Sequence, residues 1–155
     1  MENKDIIVYG AYGYTGELIV RKCQELGIKP LLSGRNESKL KPIADKYSLP
    51  YKVADLKADD LDKLLSASKV VIHAAGPFIH TSKPMVEACI RNKVHYTDIT
   101  GEIAVFVQAR KYDEQAKEAD VMLLPGTGFD VVPSDCLAAH LKARMADADD
   151  LVLAF

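Results

Sequence analysis

The chain has 155 residues. Because the buried fraction of a chain's surface grows with its size, this length is enough for one well-buried domain and too short to expect two. Hydrophobic residues make up 48% and charged residues 27% of it, a globular composition that excludes a disordered or fibrous protein. The 20 basic and 22 acidic residues are interleaved, so no positive field attracts nucleic acid or an anionic membrane, and neither is expected as a partner.

Cysteine usage and hydropathy indicate the compartment. Cys23, Cys89 and Cys136 are far apart and odd in number, so no disulfide framework is expected. No apolar run approaches the roughly 20 residues that span a bilayer, and the polar start shows no export signal. We therefore expect a cytoplasmic protein.

Short apolar or β-branched segments alternate with longer amphipathic ones, which is the pattern of repeated βα units around a parallel sheet. Strands are predicted, in chain order, at residues 5–9, 29–33, 50–54, 69–74, 94–99 and 121–124. Helices are predicted at residues 15–26, 36–47, 59–66, 82–90, 102–119 and 133–145. The prediction is an α/β fold, a Rossmann-type doubly wound parallel sheet in a single domain of residues 1–150.

More specific predictions concern the caps of two helices, the buried face of the helix at 102–119 and the end of the sequence. Asn36 and Ser82 are predicted to cap the second and fourth helices. The helix at 102–119 is expected to be the longest, and its sheet-facing residues are predicted to be Ile103, Phe106, Val107 and Ala116. Residues 151–155 form an apolar run that would begin a further strand where the sequence stops.

Three glycines lie directly between the first predicted strand and helix, spaced G-x-x-G-x-x-G: Gly10, Gly13 and Gly16. A dinucleotide pyrophosphate must approach free N–H groups at a helix N-terminus, and glycine permits that approach. Thr15 could add a hydroxyl donor. Turn glycines without a ligand are the alternative, but this position favours a dinucleotide site. Tyr12 replaces the second glycine of the common G-x-G-x-x-G motif, which leaves the loop path open, and the G-K-[ST] of a Walker loop is absent.

The residues after the second predicted strand, Ser33-Gly34-Arg35-Asn36, indicate which nicotinamide cofactor is used. NAD-binding domains usually place Asp or Glu there to hold the ribose hydroxyls. Arg35 cannot accept those hydrogen bonds, but it can pair with a 2′-phosphate and stack on adenine. NADP(H) is therefore preferred over NAD(H), although Glu37 counts against this and a surface salt bridge is the alternative for Arg35.

Ligands of open parallel sheets lie beyond the carboxyl ends of the strands, so the segments after the third and fourth strands should also line the cofactor. Asp55 could accept a hydrogen bond from the adenine amino group or cap the next helix. The predicted cofactor-binding residues are Gly10, Tyr12, Gly13, Tyr14, Thr15, Gly16, Ser33, Gly34, Arg35, Asp55, Ala75, Gly76, Pro77 and Phe78. The small residues would let the cofactor pass, with Pro77 and Phe78 as a wall. No metal site is predicted, because the four histidines lack a ligand spacing.

Six segments carry a resemblance to a known family: residues 9–16, 33–35, 75–78, 87–89, 95–102 and 125–135. The fifth contains Y-x-D-x-T-G-E and the sixth reads P-G-x-G-F-D-x-x-P-S-D, and together they are specific. With them in this order, the sequence resembles the saccharopine-dehydrogenase-like family, which includes trans-acting enoyl reductases.

The resemblance implies a nicotinamide-dependent oxidoreductase in which a second domain supplies much of the substrate site and often the dimer contact. Residues 151–155 would begin that missing domain, so the chain is expected to be inactive alone, and a homodimer is a further expectation. Residues 95–102 and 126–135 would face the cleft between domains. There Asp98, Glu102 and Asp130 could be acids or bases, or equally caps and turn residues.

Two other functions are open at this point. A complete small redox-sensing module would bind the dinucleotide without catalysis. A short-chain dehydrogenase is disfavoured because the chain has no Y-x-x-x-K pair.

Overall fold

A computed structural model describes residues 5–152, in which parallel strands alternate with helices as predicted. The strands are β1 (Ile6–Tyr9), β2 (Leu31–Gly34), β3 (Tyr51–Val53), β4 (Val70–His73), β5 (His95–Asp98) and β6 (Leu123–Leu124). The helices are α1 (Tyr14–Glu25), α2 (Glu37–Tyr47), α3 (Ala58–Leu65), α4 (Phe78–Asn92), α5 (Ile103–Arg110), α6 (Asp113–Ala119) and α7 (Val132–Arg144).

The six strands of the described part lie in the order β3-β2-β1-β4-β5-β6, and every neighbouring pair is parallel. The chain builds outward from β1 to β3 and then crosses back through α3, so that β4 pairs with the other side of β1. This reversal creates a crevice at the carboxyl ends of β1 and β4, where doubly wound sheets bind their ligands. The predicted Rossmann-type fold is confirmed.

The two faces of the sheet are covered by different helices, because consecutive strand residues point to opposite faces. Ile7 of β1 packs in one core with the leucines of α3 and with Met85 of α4. Its neighbour Val8 packs in the other core with Val20 of α1 and Leu40 of α2. Burial on both faces explains why the central strands are almost wholly apolar.

Helix α4 begins four residues before its predicted cap. Ser82 is buried within the helix, so the prediction that Ser82 is the cap is wrong. Pro77 precedes the helix, and the first two amides, of Phe78 and Ile79, donate to the carboxylate of Glu102. The cap comes from a residue distant in sequence, which local pattern could not reveal.

The long helix predicted at residues 102–119 is two helices, α5 and α6, with a turn at residues 111–112. The Tyr112 hydroxyl donates to Glu87 of α4 at 2.8 Å and anchors the chain at this turn. The predicted sheet-facing set is wrong for Ile103, which is 79% exposed, and for Val107, which is 56% exposed, whereas Phe106 is half-buried and Ala116 is buried as predicted. Val105, which was not in the predicted set, is buried.

Helix α7 contains Pro133 in its first turn, as predicted, and Ser134 is its one buried residue. Leu151 and Val152 are exposed and lie outside any strand, so the predicted strand is not found there. The other residues of the predicted strand, 153–155, lie outside the described part of the chain. The expected homodimer stays a prediction. Within residues 5–152, no helix is long and apolar enough to cross a membrane.

Candidate functional site

The glycine turn occupies only residues 10–13, because β1 ends at Tyr9 and α1 begins at Tyr14. Gly10 has φ +87°, and a Cβ there would lie 2.9 Å from the Cβ of Ala75. The amides of Gly10 and Ala11 donate to the carbonyl of Ser33 at 2.8 and 3.2 Å. The turn is therefore held between the ends of β2 and β4.

The N-terminus of α1 opens at this turn. Gly13 is its N-cap, with extended backbone and no side-chain cap. The first-turn amides, including those of Tyr14 and Thr15, therefore have no intrahelical partner, and the helix dipole adds positive potential. A Cβ on Gly16 would collide with the carbonyl group of Gly10, so Gly16 permits the close contact of helix and turn. An uncapped helix start behind a glycine turn fits a pyrophosphate.

Glu17, the acidic residue in the first turn of α1, is paired with residues of α2. Glu17 accepts hydrogen bonds from Lys46 at 2.6 Å and from the Tyr47 hydroxyl at 3.1 Å, both on α2. These hydrogen bonds hold the pKa of the Glu17 carboxyl below its usual range. Its negative charge is thus paired with Lys46 of α2.

A cleft of about 680 Å³ lies at the carboxyl ends of β2 and β3 and is here called the β2–β3 cleft. Its lining residues are Tyr12, Arg35, Asn36, Lys39, Val53, Ala54, Asp55 and Asp60. Arg35 and Lys39 are exposed, and within residues 5–152 neither forms an ion pair with a carboxylate. The surface salt bridge that was the alternative for Arg35 is therefore not formed in this part of the chain.

Tyr12 reaches the cleft by lying over the end of β2. A Cβ on Gly34 would stand 2.5 Å from Cε1 of the Tyr12 ring. Glycine at position 34 therefore makes room for the aromatic ring. This contact gives the loop path that the spacing of the glycines left open.

The hydrogen bonds of Ser33, Asp55 and Glu37 show what each of these side chains does in the structure. Ser33 is fully buried, and its hydroxyl donates to the Lys52 carbonyl at 2.7 Å, so it joins β2 to β3. Asp55 accepts from the Leu56 amide, and α3 begins without a side-chain cap, so Asp55 does not cap that helix. Glu37, the acid that counted against NADP(H), accepts from the Tyr51 hydroxyl at 3.3 Å and does not line the cleft.

Lys39 is a cleft residue that sequence reasoning missed. Asn36 caps α2 as predicted, accepting from the Lys39 amide at 3.1 Å. That cap starts the helix, and the turn that follows carries Lys39 to the same opening as Arg35. Its position three residues after the predicted Asn36 cap, in the first turn of α2, is a signal that could have identified it.

The β4–α4 loop, residues 74–77, borders the glycine turn on the other side. Ala75 is half-buried, and Gly76 and Pro77 are exposed at the carboxyl edge. Phe78 is only 9% exposed and packs edge-on against His73, with ring centroids 5.4 Å apart. Pro77 can wall a ligand from this loop, whereas most of the Phe78 ring belongs to the core.

Asp98 and Glu102 act in this structure as turn and cap residues. Asp98 is fully buried and accepts from the amides of Thr100 and Gly126 at 3.0 and 2.8 Å. It also accepts from the Tyr96 hydroxyl, whose pKa is raised by burial and by this carboxylate. Glu102 is the cap of α4 described above.

The loop after β6 is tied to the same strand end. The amide and hydroxyl of Thr127 both donate to the Asp98 carbonyl at 2.8 Å. Asp130 stays exposed, beside Gly101. The two segments expected at a domain cleft therefore meet at the carboxyl end of β5. No cluster of metal-binding side chains is found among the described residues.

Most of this chain is similar to part of two longer curated proteins. The chain is 33% identical to the "Lipid droplet localized protein" of Caenorhabditis elegans, over 92% of this chain and 37% of that protein. It is 28% identical to the "Trans-acting enoyl reductase" of Mycobacterium ulcerans (strain Agy99), over 92% of this chain and 36% of that protein. The chain thus spans little more than a third of the length of these curated relatives.

Among solved structures, the fold is similar to that of apo saccharopine dehydrogenase (L-Glu forming) from Saccharomyces cerevisiae. The TM-score is 0.79 at 18% identity, covering 94% of this chain and 32% of that one. Residues 6–124 match the sequence profile of the saccharopine dehydrogenase NADP binding domain, and the chain therefore belongs to that family.

Proposed function

We propose that the chain binds NADP(H) in preference to NAD(H) and holds the nicotinamide for hydride transfer to a substrate bound largely by a second domain. One observation carries the preference. Arg35 and Lys39 line the β2–β3 cleft and pair with no carboxylate in the described part of the chain. Two cations that form no ion pair with the other lining residues, Asp55 and Asp60 included, keep their donors available to a 2′-phosphate, whereas they cannot accept hydrogen bonds from the paired hydroxyls of an unphosphorylated ribose.

The strand order supports one direction for the bound dinucleotide. The adenosine half would occupy the β2–β3 cleft, and the pyrophosphate would lie at the uncapped N-terminus of α1, behind the glycine turn. The other half must then cross β1 toward β4, where the β4–α4 loop lies. Neighbouring strands are about 4.8 Å apart, so the ligand would extend across several strand ends.

The residues around the adenosine half have distinct roles in this proposal. Arg35 would contact the 2′-phosphate through its planar donors, and Lys39 would add a mobile point charge. Tyr12, whose ring lies over Gly34, would form the inner wall. Asp55 remains available to the adenine amino group through its second carboxylate oxygen, since the first accepts from Leu56.

The bound cofactor supplies or accepts the hydride, and this chain's residues position it. The free amides of α1 would hold the pyrophosphate, and the small residues of the β4–α4 loop would leave space for the nicotinamide half. The relatives are much longer than this chain, and helix α7 is almost wholly exposed. We place the substrate-binding wall in a second domain facing α7 and the loop after β6.

Titration calorimetry of the purified chain with NADPH and with NADH tests the proposal. NADPH should bind more tightly, and Arg35→Asp should weaken NADPH binding by about tenfold to a hundredfold, because a charge-assisted hydrogen bond is lost. The matched control is Arg110→Asp, which changes an exposed arginine on α5 outside the β2–β3 cleft. Equal affinities for the two cofactors in the unmutated chain would contradict the preference.

A further inference from the structure

His73, the last residue of β4, is a polar side chain enclosed by aromatic rings. It is fully buried, and its ring centroid lies 5.4 Å from those of Tyr9 and Phe78 and 6.1 Å from that of Tyr96. Burial lowers the pKa of His73 to about 3, so the ring is neutral. Its Nδ1 atom has no hydrogen-bond partner in the described part of the chain.

The other ring nitrogen leads to the cofactor side of the sheet through Thr81 of α4. The Thr81 hydroxyl oxygen lies 3.0 Å from Nε2 of His73, 2.8 Å from the Ala75 carbonyl and 3.2 Å from the Pro77 carbonyl. Carbonyl oxygens only accept and the hydroxyl has a single proton; with that proton donated to the loop, most closely to the Ala75 carbonyl, Thr81 accepts from His73. His73 therefore carries its proton on Nε2, which leaves Nδ1 as a buried acceptor.

A buried acceptor without a partner needs a physical reason. Phenylalanine at position 73 would fill the same aromatic surroundings without an unpaired polar atom. What histidine adds is the hydrogen bond that orients the Thr81 hydroxyl toward the loop. This hydroxyl lies within hydrogen-bond distance of the carbonyls at both ends of the loop segment 75–77, nearer to Ala75, and the segment is otherwise exposed at Gly76 and Pro77.

We propose that His73 and Thr81 are positioning residues that hold the β4–α4 loop in the path required by the nicotinamide half of the dinucleotide. The inference rests on the proposed function, which puts the adenosine half on the opposite side of β1. Their loss should therefore weaken binding of the whole dinucleotide and leave binding of the adenosine half unchanged. A general loss of folding would weaken both.

Calorimetry with NADPH and with adenosine 2′,5′-bisphosphate, which lacks the nicotinamide half, separates these cases. Thr81→Val should weaken NADPH binding about tenfold, the loss of roughly one hydrogen bond, and leave the bisphosphate affinity unchanged. Thr81→Ser, which keeps the hydroxyl, should restore most of the NADPH affinity. Ser82→Ala is the matched control, because it removes a buried hydroxyl from the next position of the same helix and should change neither affinity.

His73→Phe gives an independent variant with a different effect on folding. It should lower NADPH affinity as Thr81→Val does, while the melting temperature stays the same or rises because the unpaired acceptor is gone. Equal weakening of both ligands, or of neither, in Thr81→Val and His73→Phe would overturn the inference. Failure of the unmutated chain to bind either ligand would instead contradict the proposed function, and the inference with it.

Discussion

The Tyr12 ring lies so close over Gly34 that a Cβ at position 34 would stand 2.5 Å from Cε1 of the ring. Tyr12 comes from the glycine turn and Gly34 from the end of β2, so this contact joins the proposed pyrophosphate and adenosine portions of the site. The ring is half-buried and can move, whereas the strand cannot.

Gly34→Ala should therefore displace the Tyr12 ring with little effect on folding. We expect the affinity for adenosine 2′,5′-bisphosphate to fall about threefold to tenfold, because the inner wall of the β2–β3 cleft moves, with a nearly unchanged melting temperature. In a Tyr12→Gly background the same substitution should have no further effect. An additive loss in the double variant would show that the two residues act independently.

Gly13 at the N-cap of α1 and Gly16 in its first turn should respond differently to added side chains. Gly13 has φ −77°, and a Cβ there would lie 3.3 Å from the Gly10 carbonyl oxygen, which a small shift can accommodate. Gly13→Val should keep the fold and abolish binding of both NADPH and NADH, because the branched side chain covers the start of α1. Calorimetry and thermal melting check this, and retained binding would show that Gly13 is only a turn residue.

Gly16→Ala should act on stability instead. Its Cβ would collide with the Gly10 carbonyl group, and we expect unfolding to become easier by about 1–3 kcal/mol. Urea unfolding followed by circular dichroism measures the change. A Gly16→Ala variant of unchanged stability would mean that α1 can shift away from the turn without loss.

Lys39→Ala tests the residue of the β2–β3 cleft that the sequence analysis did not predict. NADPH affinity should fall about twofold to fivefold, since an exposed charge pair contributes little in water, and NADH affinity should not change. The matched control is Lys41→Ala, an exposed lysine of the same helix that does not line the cleft. An equal loss of NADH affinity would show that Lys39 does not contact the 2′-phosphate.

The buried His73 should make folding sensitive to acid. In the unfolded chain histidine takes up a proton below about pH 6.5, whereas burial lowers the folded pKa to about 3. The unfolded state therefore binds more protons between these values, and stability falls as the pH decreases through this window. From about pH 7 to about pH 5, the unmutated chain should lose about 2 kcal/mol more than His73→Phe. Urea unfolding at both pH values measures the difference, and parallel losses would contradict it.

The chain alone should bind the cofactor and catalyse no hydride transfer. Without a second wall to position the substrate and exclude water, the effects of proximity and orientation are lost. Following NADPH absorbance with imines, ketones and enoyl thioesters checks this. Turnover comparable with that of ordinary dehydrogenases would show that no second domain is needed.

The sequence by itself determined the alternation of strands and helices, the location of the glycine turn and the arginine after the second strand. These features depend on residues close together in the chain, where period, β-branching and glycine spacing act directly. The Asn36 cap of α2 is local in the same way and was predicted correctly.

Only the tertiary structure decided which side chains meet at the carboxyl edge. Glu102 caps α4 across 24 residues of chain, the Tyr12 ring covers Gly34, and Thr81 joins His73 to the β4–α4 loop. These contacts arise because parallel strands with helical crossovers bring distant segments to one edge. The local sequence pattern contains no information on contacts between residues far apart in the chain. The predicted cap at Ser82 and the single helix at 102–119 were therefore wrong, because long-range hydrogen bonds set those boundaries.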